Sequence, residues 1–209
     1  MNLPISKDNF PHIDWFVRDY HNIKTVLFDM DGTIVETENV HDEATKKVLQ
    51  KIGIGFSYAD NEFFGMADKQ VYDILQIQDK ISFEQYVDAK NHEIISHINS
   101  APLATFSHPL VVEFIRDLAK RSIQLGLVTS SEKLPTMTIL NALHIFSLFS
   151  IVVTSEDVHC LKPNPEPYLK AMQFFQANIS ETLIFEDSPV GLRAALATGC
   201  EVIKVQWWK

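Results

Sequence analysis

The chain has 209 residues, 46% hydrophobic, 22% charged and 11% aromatic, enough apolar side chain to bury a core and unlike disordered or collagen-like sequence. Eighteen Lys and Arg against 27 Asp and Glu give a net charge of −9, so there is no cationic footprint for nucleic-acid phosphates or an anionic membrane face. Cys160 and Cys200 lie far apart and without zinc-ligand spacing, the N-terminus lacks a basic start followed by an apolar core, and no apolar run reaches about 18 residues, so a soluble cytoplasmic protein without a disulfide framework is expected.

Residues 1–22, with Pro4, Phe10, Pro11, Trp15 and Phe16, read as an N-terminal extension, either packed on the body or loose. Thr25 to Phe28 is a short continuous apolar run that opens into Asp29-Met30-Asp31-Gly32-Thr33, the pattern of a buried parallel strand with a polar loop at its C-terminal end. From His41 the period becomes helical, with Ala44, Val48, Leu49 and Ile52 on one face and Gly53 and Gly55 as stops. Two more helical stretches follow, one around Val71, Ile74 and Leu75, the other from Phe83 to Ile98. After His108-Pro109 a helix carries Leu110, Val111, Phe114, Ile115 and Leu118. Strands at Gln124–Val128, Ser150–Val153, Thr182–Phe185 and Glu201–Val205 then alternate with helices at Leu134–Leu143, Glu166–Gln176 and Val190–Ala197. Such alternation predicts an α/β fold built on a mainly parallel sheet flanked by helices. The all-helical stretch interrupts it, so residues 23–37 and 104–209 are expected to form the core domain and residues 38–103 an inserted helical cap domain. Trp207 and Trp208 are expected to pack on the first segment or to form a contact surface.

Four polar elements follow apolar runs. Asp29 and Asp31, at i and i+2 before Gly32, can hold a hard divalent cation or divide nucleophile and acid/base duties; a simple strand-ending turn is the alternative. Thr129-Ser130-Ser131 offers hydroxyls and helix N–H groups to an anion, or merely a helix cap. Lys162, before Pro163 and Pro165, is either directed by a stiffened backbone or an ordinary surface lysine. Glu186-Asp187-Ser188-Pro189, followed by Gly191, brings two more acids to a strand end. If these strands are neighbours, the carboxylates of Asp29, Asp31, Glu186 and Asp187 converge and require a cation or a lysine.

Taken in order, these elements resemble the four motifs of the haloacid dehalogenase-like (HAD-like) hydrolase superfamily, in particular its phosphatases and β-phosphoglucomutase-like members with a helical cap after the first motif. The resemblance spans about residues 23–205 and implies a Rossmann-like core. It implies Asp29 as nucleophile forming an aspartyl-phosphate, and Asp31 as acid and then base. It also implies Mg²⁺ held by the Asp29 carboxylate, the Asp31 carbonyl oxygen and Asp187, with Glu186 in support. Thr129 and the main-chain N–H groups of Met30 and Ser130 would hold the phosphoryl oxygens, and Lys162 would neutralise charge on Asp29 and on the transferred group. Asp31 argues against the dehalogenases, which lack the second aspartate. Lys46, Lys47 and Lys51 lie near the start of the insert and read as a solvated face more than as a cap lysine. His41 matches a cap-hinge histidine of the mutases, yet Asp68 and Glu132 stand where that subfamily carries cations, which favours hydrolysis of a monoester over handling of a bisphosphate. The expected partner is a small phosphorylated metabolite and the expected assembly a monomer or homodimer; a phosphosugar mutase and a non-catalytic phosphometabolite-binding protein are the alternatives.

Overall fold

The computed structural model describes residues 12–55, 62–102 and 105–206. Five strands form one parallel sheet: β1 (Thr25–Phe28), β2 (Gln124–Val128), β3 (Ile151–Val153), β4 (Thr182–Glu186) and β5 (Glu201–Lys204). Their order is β3-β2-β1-β4-β5, so β1 is central and the chain order reverses beside it, the place where open α/β sheets bind ligands. The sequence expectation of a parallel α/β core holds, with strand limits shifted by no more than one residue. All four residues of β1 are buried, as a strand covered on both faces requires. Val26 and Phe28 point into one apolar layer with Phe114, Ile115 and Leu118, whereas Leu27 points into the other with Tyr168, Ala171 and Ala194. Phe28 stacks on Phe185 of the neighbouring strand, with ring centroids 4.9 Å apart.

Eight α-helices surround or interrupt the sheet among the described residues: α1 (Ile13–Asp19), α2 (Glu38–Lys51), α3 (Asp68–Leu75), α4 (Phe83–Ser100), α5 (Pro109–Lys120), α6 (Lys133–Ala142), α7 (Glu166–Phe175) and α8 (Pro189–Leu196). Local chemistry sets their ends. Pro109 and Pro189 occupy first helical positions, where a missing N–H loses nothing. The Ser188 hydroxyl accepts from Gly191 N at 2.9 Å, and Ser82 and Gln85 cap α4 reciprocally.

Between β1 and β2 the described chain is helical and carries its own apolar cluster of Val48, Leu49, Tyr72, Ile77 and Tyr86. Helix α2 begins at Glu38, three residues before His41, and ends at Lys51 just ahead of Gly53, whose φ is +73°. The earlier start reflects the Thr37 hydroxyl, which bonds to Asp31 and anchors the first turn over the β1 loop. The described part of the first segment packs on the body: Ile13, Phe16 and Tyr20 are buried, and Phe16 meets Phe114 edge to face at 6.0 Å. Pro4, Phe10, Pro11, Trp207 and Trp208 lie outside the described residues.

Candidate active site

Parallel register brings the strand ends together. Phe28 pairs with Leu127 on one side and with Phe185 on the other, so one residue further on Asp29 stands beside Val128 and Glu186. The Asp29 N–H donates to the Phe185 carbonyl at 3.0 Å, extending the ladder by one step and fixing the start of the loop.

Lys162 crosses to this point from the loop after β3. Its ammonium, 2% exposed, donates to Asp29 Oδ1 at 2.6 Å, Glu186 Oε2 at 2.8 Å and the Val128 carbonyl at 3.0 Å. Three acceptors for three protons make this a satisfied buried cation and exclude the surface-lysine alternative. Burial opposes its charge, but Asp29 and Glu186 outweigh burial and hold its pKa well above the usual lysine range. Tyr168 completes the cradle: its hydroxyl donates to Glu186 Oε2 at 2.6 Å and its ring lies 4.9 Å from the ammonium. Nothing in the sequence singled Tyr168 out, because it sits on the inward face of an ordinary amphipathic helix.

Asp29, Glu186 and Asp187 present carboxylate oxygens that all lie within 4.8 Å of one another. Burial, then the Glu186 charge, pushes Asp29 well above the usual carboxylate range despite Lys162, and the same two causes bring Asp187 up to about 7. An all-oxygen set whose charges resist one another suits a hard divalent cation such as Mg²⁺. Within the set Glu186 is fully buried and already accepts five hydrogen bonds: Lys162 and Tyr168 on Oε2, and Asp187 N, Ser188 N and Ser188 Oγ on Oε1. It therefore holds Lys162 and the following turn more directly than it offers lone pairs. Gly32 lets Asp187 approach: its φ is +82°, and a β-carbon there would overlap the Asp187 carboxylate. Gly32→Ala is accordingly expected to displace Asp187 and weaken the affinity of this carboxylate set for a divalent cation at least ~10-fold, measurable by calorimetric titration with Mg²⁺.

The Asp31 carboxylate turns away from this cluster. It accepts from the hydroxyls of Thr37, Ser131 (2.7 Å) and Thr129 (3.3 Å), and His41 Nε2 lies 3.4 Å from its Oδ1. Burial alone would raise its pKa, but the facing His41 and the hydroxyl donors together hold it below the usual carboxylate range. The His41 contact lies off the hydrogen-bond direction, leaving Nε2 as one of two buried side-chain polar atoms without a hydrogen-bond partner among the described residues. Thr129 is buried beside Asp31, Met30 has a fully buried side chain that leaves only its main chain for a ligand, and the Ser130 hydroxyl donates to the Gly65 carbonyl at 3.2 Å.

That last bond comes from the helical segment. Gln70 of α3 likewise donates to the Lys162 carbonyl at 2.9 Å, and Gly65 N donates to Glu38 at 2.9 Å. The space between strand ends and helices is only about 30 Å³, room for a water or two. Lys47 and Lys51 lie outside it on Glu93, at 3.3 and 2.6 Å, and Lys46 pairs with Asp42 at 2.7 Å. Lys90 does line it, a residue the sequence reading passed over.

Glu132, at the N-terminus of α6, shares a hydrogen bond with Glu156, and burial first, then that shared bond, brings its pKa up to about 7. A carboxyl group whose pKa is higher folded than unfolded stabilises the fold below its unfolded pKa and loses that contribution as pH rises through about 7. Glu132→Gln should therefore raise the melting temperature at pH 8 by on the order of 2 °C and leave it unchanged at pH 5, as a pair of thermal melts would show.

Residues 26–205 match the sequence profile of the haloacid dehalogenase-like hydrolases. The chain is a member of that family. This hydrolase is 26% identical over 187 residues to the phosphorylated carbohydrates phosphatase of Thermotoga maritima, covering 87% of this chain and 84% of that one. Its fold is shared with CbbY from Rhodobacter sphaeroides, solved in complex with phosphate (TM-score 0.76, 21% identity, 86% of this chain and 84% of that chain). The same fold is found in β-phosphoglucomutase from Clostridium difficile (TM-score 0.74, 24% identity, 89% and 86%).

Proposed function

We propose that this hydrolase is a phosphatase that cleaves a small phosphomonoester through an aspartyl-phosphate on Asp29, with Mg²⁺ as cofactor. The observation that carries the reading is the buried Lys162 ammonium bonded to both Asp29 and Glu186 at the strand ends, with a separately held Asp31 facing the same space. Similarity to a phosphatase of phosphorylated carbohydrates supports it.

In the first half-reaction a carboxylate oxygen of Asp29 forms a bond to phosphorus while the bond from phosphorus to the alcohol oxygen breaks. Asp31 delivers the proton to that oxygen, and His41 Nε2 lies 3.4 Å from the Asp31 carboxylate. In the second half, Asp31 takes a proton from water as the water oxygen bonds to phosphorus and the bond to Asp29 breaks, returning free phosphate and Asp29. Lys162 offsets the charge of Asp29, so that two anions can approach. Asp29, Asp187 and the Asp31 carbonyl oxygen are the groups that would hold Mg²⁺, with Glu186 positioning them; bound there, the ion supplies charge neutralisation on the phosphoryl oxygens. Thr129 and the main chain at Met30 and Ser130 seat those oxygens.

Residues 38–103 act in this reading as a cap over a core formed by 23–37 and 104–209, closed by the bonds of Ser130 to Gly65 and Gln70 to Lys162. Because the space admits little more than water, substrate entry requires these bonds to open. Gln70→Ala is expected to change KM at least ~3-fold with a smaller effect on Asp29 phosphorylation, seen by steady-state and single-turnover kinetics. The reading extends to a cytoplasmic enzyme, monomer or homodimer, without nucleic-acid or membrane partners. No helix among the described residues is long and apolar enough to cross a membrane.

His41 beside Asp31 is the observation that favours a mutase as second reading. Both readings are tested by following free phosphate and sugar-phosphate isomers from small phosphomonoesters, including β-glucose 1-phosphate, with and without Mg²⁺ and with Asp29→Asn as control. Magnesium-dependent phosphate release that the variant lacks supports the phosphatase; isomer formation with little free phosphate would replace it with the mutase. Tight binding without either product would point to a binding protein.

A further inference from the structure

Lys90 is the one permanently cationic side chain among the described residues lining the space in front of Asp29 and Asp31. It lies on α4, 3% exposed, and its ammonium is bonded to Asp68, 5% exposed, in the first turn of α3. That turn favours a carboxylate through the helix dipole, so the two buried groups neutralise each other. The same wall carries Glu38, held by Gly65 N at 2.9 Å, and Asp42, paired with Lys46 at 2.7 Å. Lys162 behind Asp29 is already filled by its three acceptors. A second anionic group on a substrate would thus meet no uncompensated lysine or arginine among the described lining residues, whereas hydroxyl groups can bond to Glu38 and Asp42 and accept from Lys90.

We infer that the buried Asp68–Lys90 pair is the specificity element of this site and restricts it to phosphomonoesters whose alcohol part is a small neutral polyol, excluding substrates with a second phosphate or a carboxylate. The inference rests on the phosphatase reading and adds its substrate class. Asp68 acts through Lys90 as a positioning residue: with it in place, Lys90 serves hydroxyl groups; without it, Lys90 becomes a free cation that attracts a second anion.

The test compares sn-glycerol 3-phosphate with 3-phosphoglycerate, which share a three-carbon chain and differ in a hydroxymethyl against a carboxylate at the far end. The wild type should favour glycerol phosphate in kcat/KM by roughly 10-fold or more, and Asp68→Asn should move that ratio by roughly 10-fold toward phosphoglycerate, mainly through KM. The double variant Asp68→Asn with Lys90→Met removes both charges and should move the ratio back from phosphoglycerate toward that of the wild type, which a purely structural role of the pair would not produce. A wild-type preference for phosphoglycerate, or the same ratio with and without Asp68, overturns the inference. Affinities of both compounds for Asp29→Asn, measured calorimetrically with Mg²⁺, read the selectivity without turnover. Selective binding by Asp29→Asn together with a wild type that releases no phosphate from any compound would overturn the phosphatase reading and sustain the role of the pair, while wild-type turnover without selectivity would do the reverse.

Discussion

Asp29→Asn should lower phosphate release by at least about 10³-fold while leaving the fold intact, since an amide cannot form the covalent intermediate. Asp29 is buried 2.6 Å from Lys162 but also beside Glu186 and Asp187, and burial with the Glu186 charge holds its pKa well above the usual range. An acid whose pKa is raised by folding costs stability once pH exceeds its unfolded value. Removing that charge in chelator-treated buffer at pH 8 should leave the melting temperature equal to or above that of the wild type, because Lys162 keeps Glu186 and the Val128 carbonyl. Loss of activity together with loss of stability would mean that Asp29 is a structural partner of Lys162. Loss of activity alone, joined to retained Mg²⁺-dependent binding of glycerol phosphate, fits a nucleophile.

The polar C-terminal edge of the sheet was legible in the sequence for a physical reason. Parallel strands buried on both faces are read as short apolar runs, their C-terminal ends share one edge, and Asp29, Thr129 and Glu186 each follow such a run directly, with Asp187 next in line. Lys162 was legible through its prolines. Residues that support the site from the inward faces of helices were not. Tyr168, Lys90 and Gln70 lie on amphipathic helices, where a polar residue on the inward face has the same local pattern as one on the rim, and only the tertiary packing separates the two. Glu38 was missed because α2 starts a turn earlier than its apolar period suggests, pulled back by Thr37 on Asp31. Asp68 was noticed as an unusual acid, but its partner lies 22 positions away, beyond any helical or strand period.

Lys162→Met should be the most destabilising of these substitutions, by about 3–5 kcal/mol, because truncating one partner of a buried ion pair leaves the other charge uncompensated. Here two carboxylates lose their cation at once, and neither Asp29 nor the fully buried Glu186 can reach bulk water. Against a typical total of about 5–15 kcal/mol this is a large fraction, readable from urea unfolding. The pH dependence follows from which group remains charged. In the wild type Lys162 is held above the usual lysine range by its two carboxylates, so its ammonium persists across neutral pH. In the variant the unpaired acids are relieved only by protonation, so the deficit should be greatest near pH 8 and shrink toward pH 5. Adding Glu186→Gln to Lys162→Met should recover about half of the loss, since the amide keeps a carbonyl oxygen for the N–H groups of Asp187 and Ser188 and turns its NH₂ toward the Tyr168 hydroxyl. An equal loss at pH 5 and pH 8, with no recovery in the double variant, would show that the side-chain volume of Lys162 matters to the fold and its charge does not.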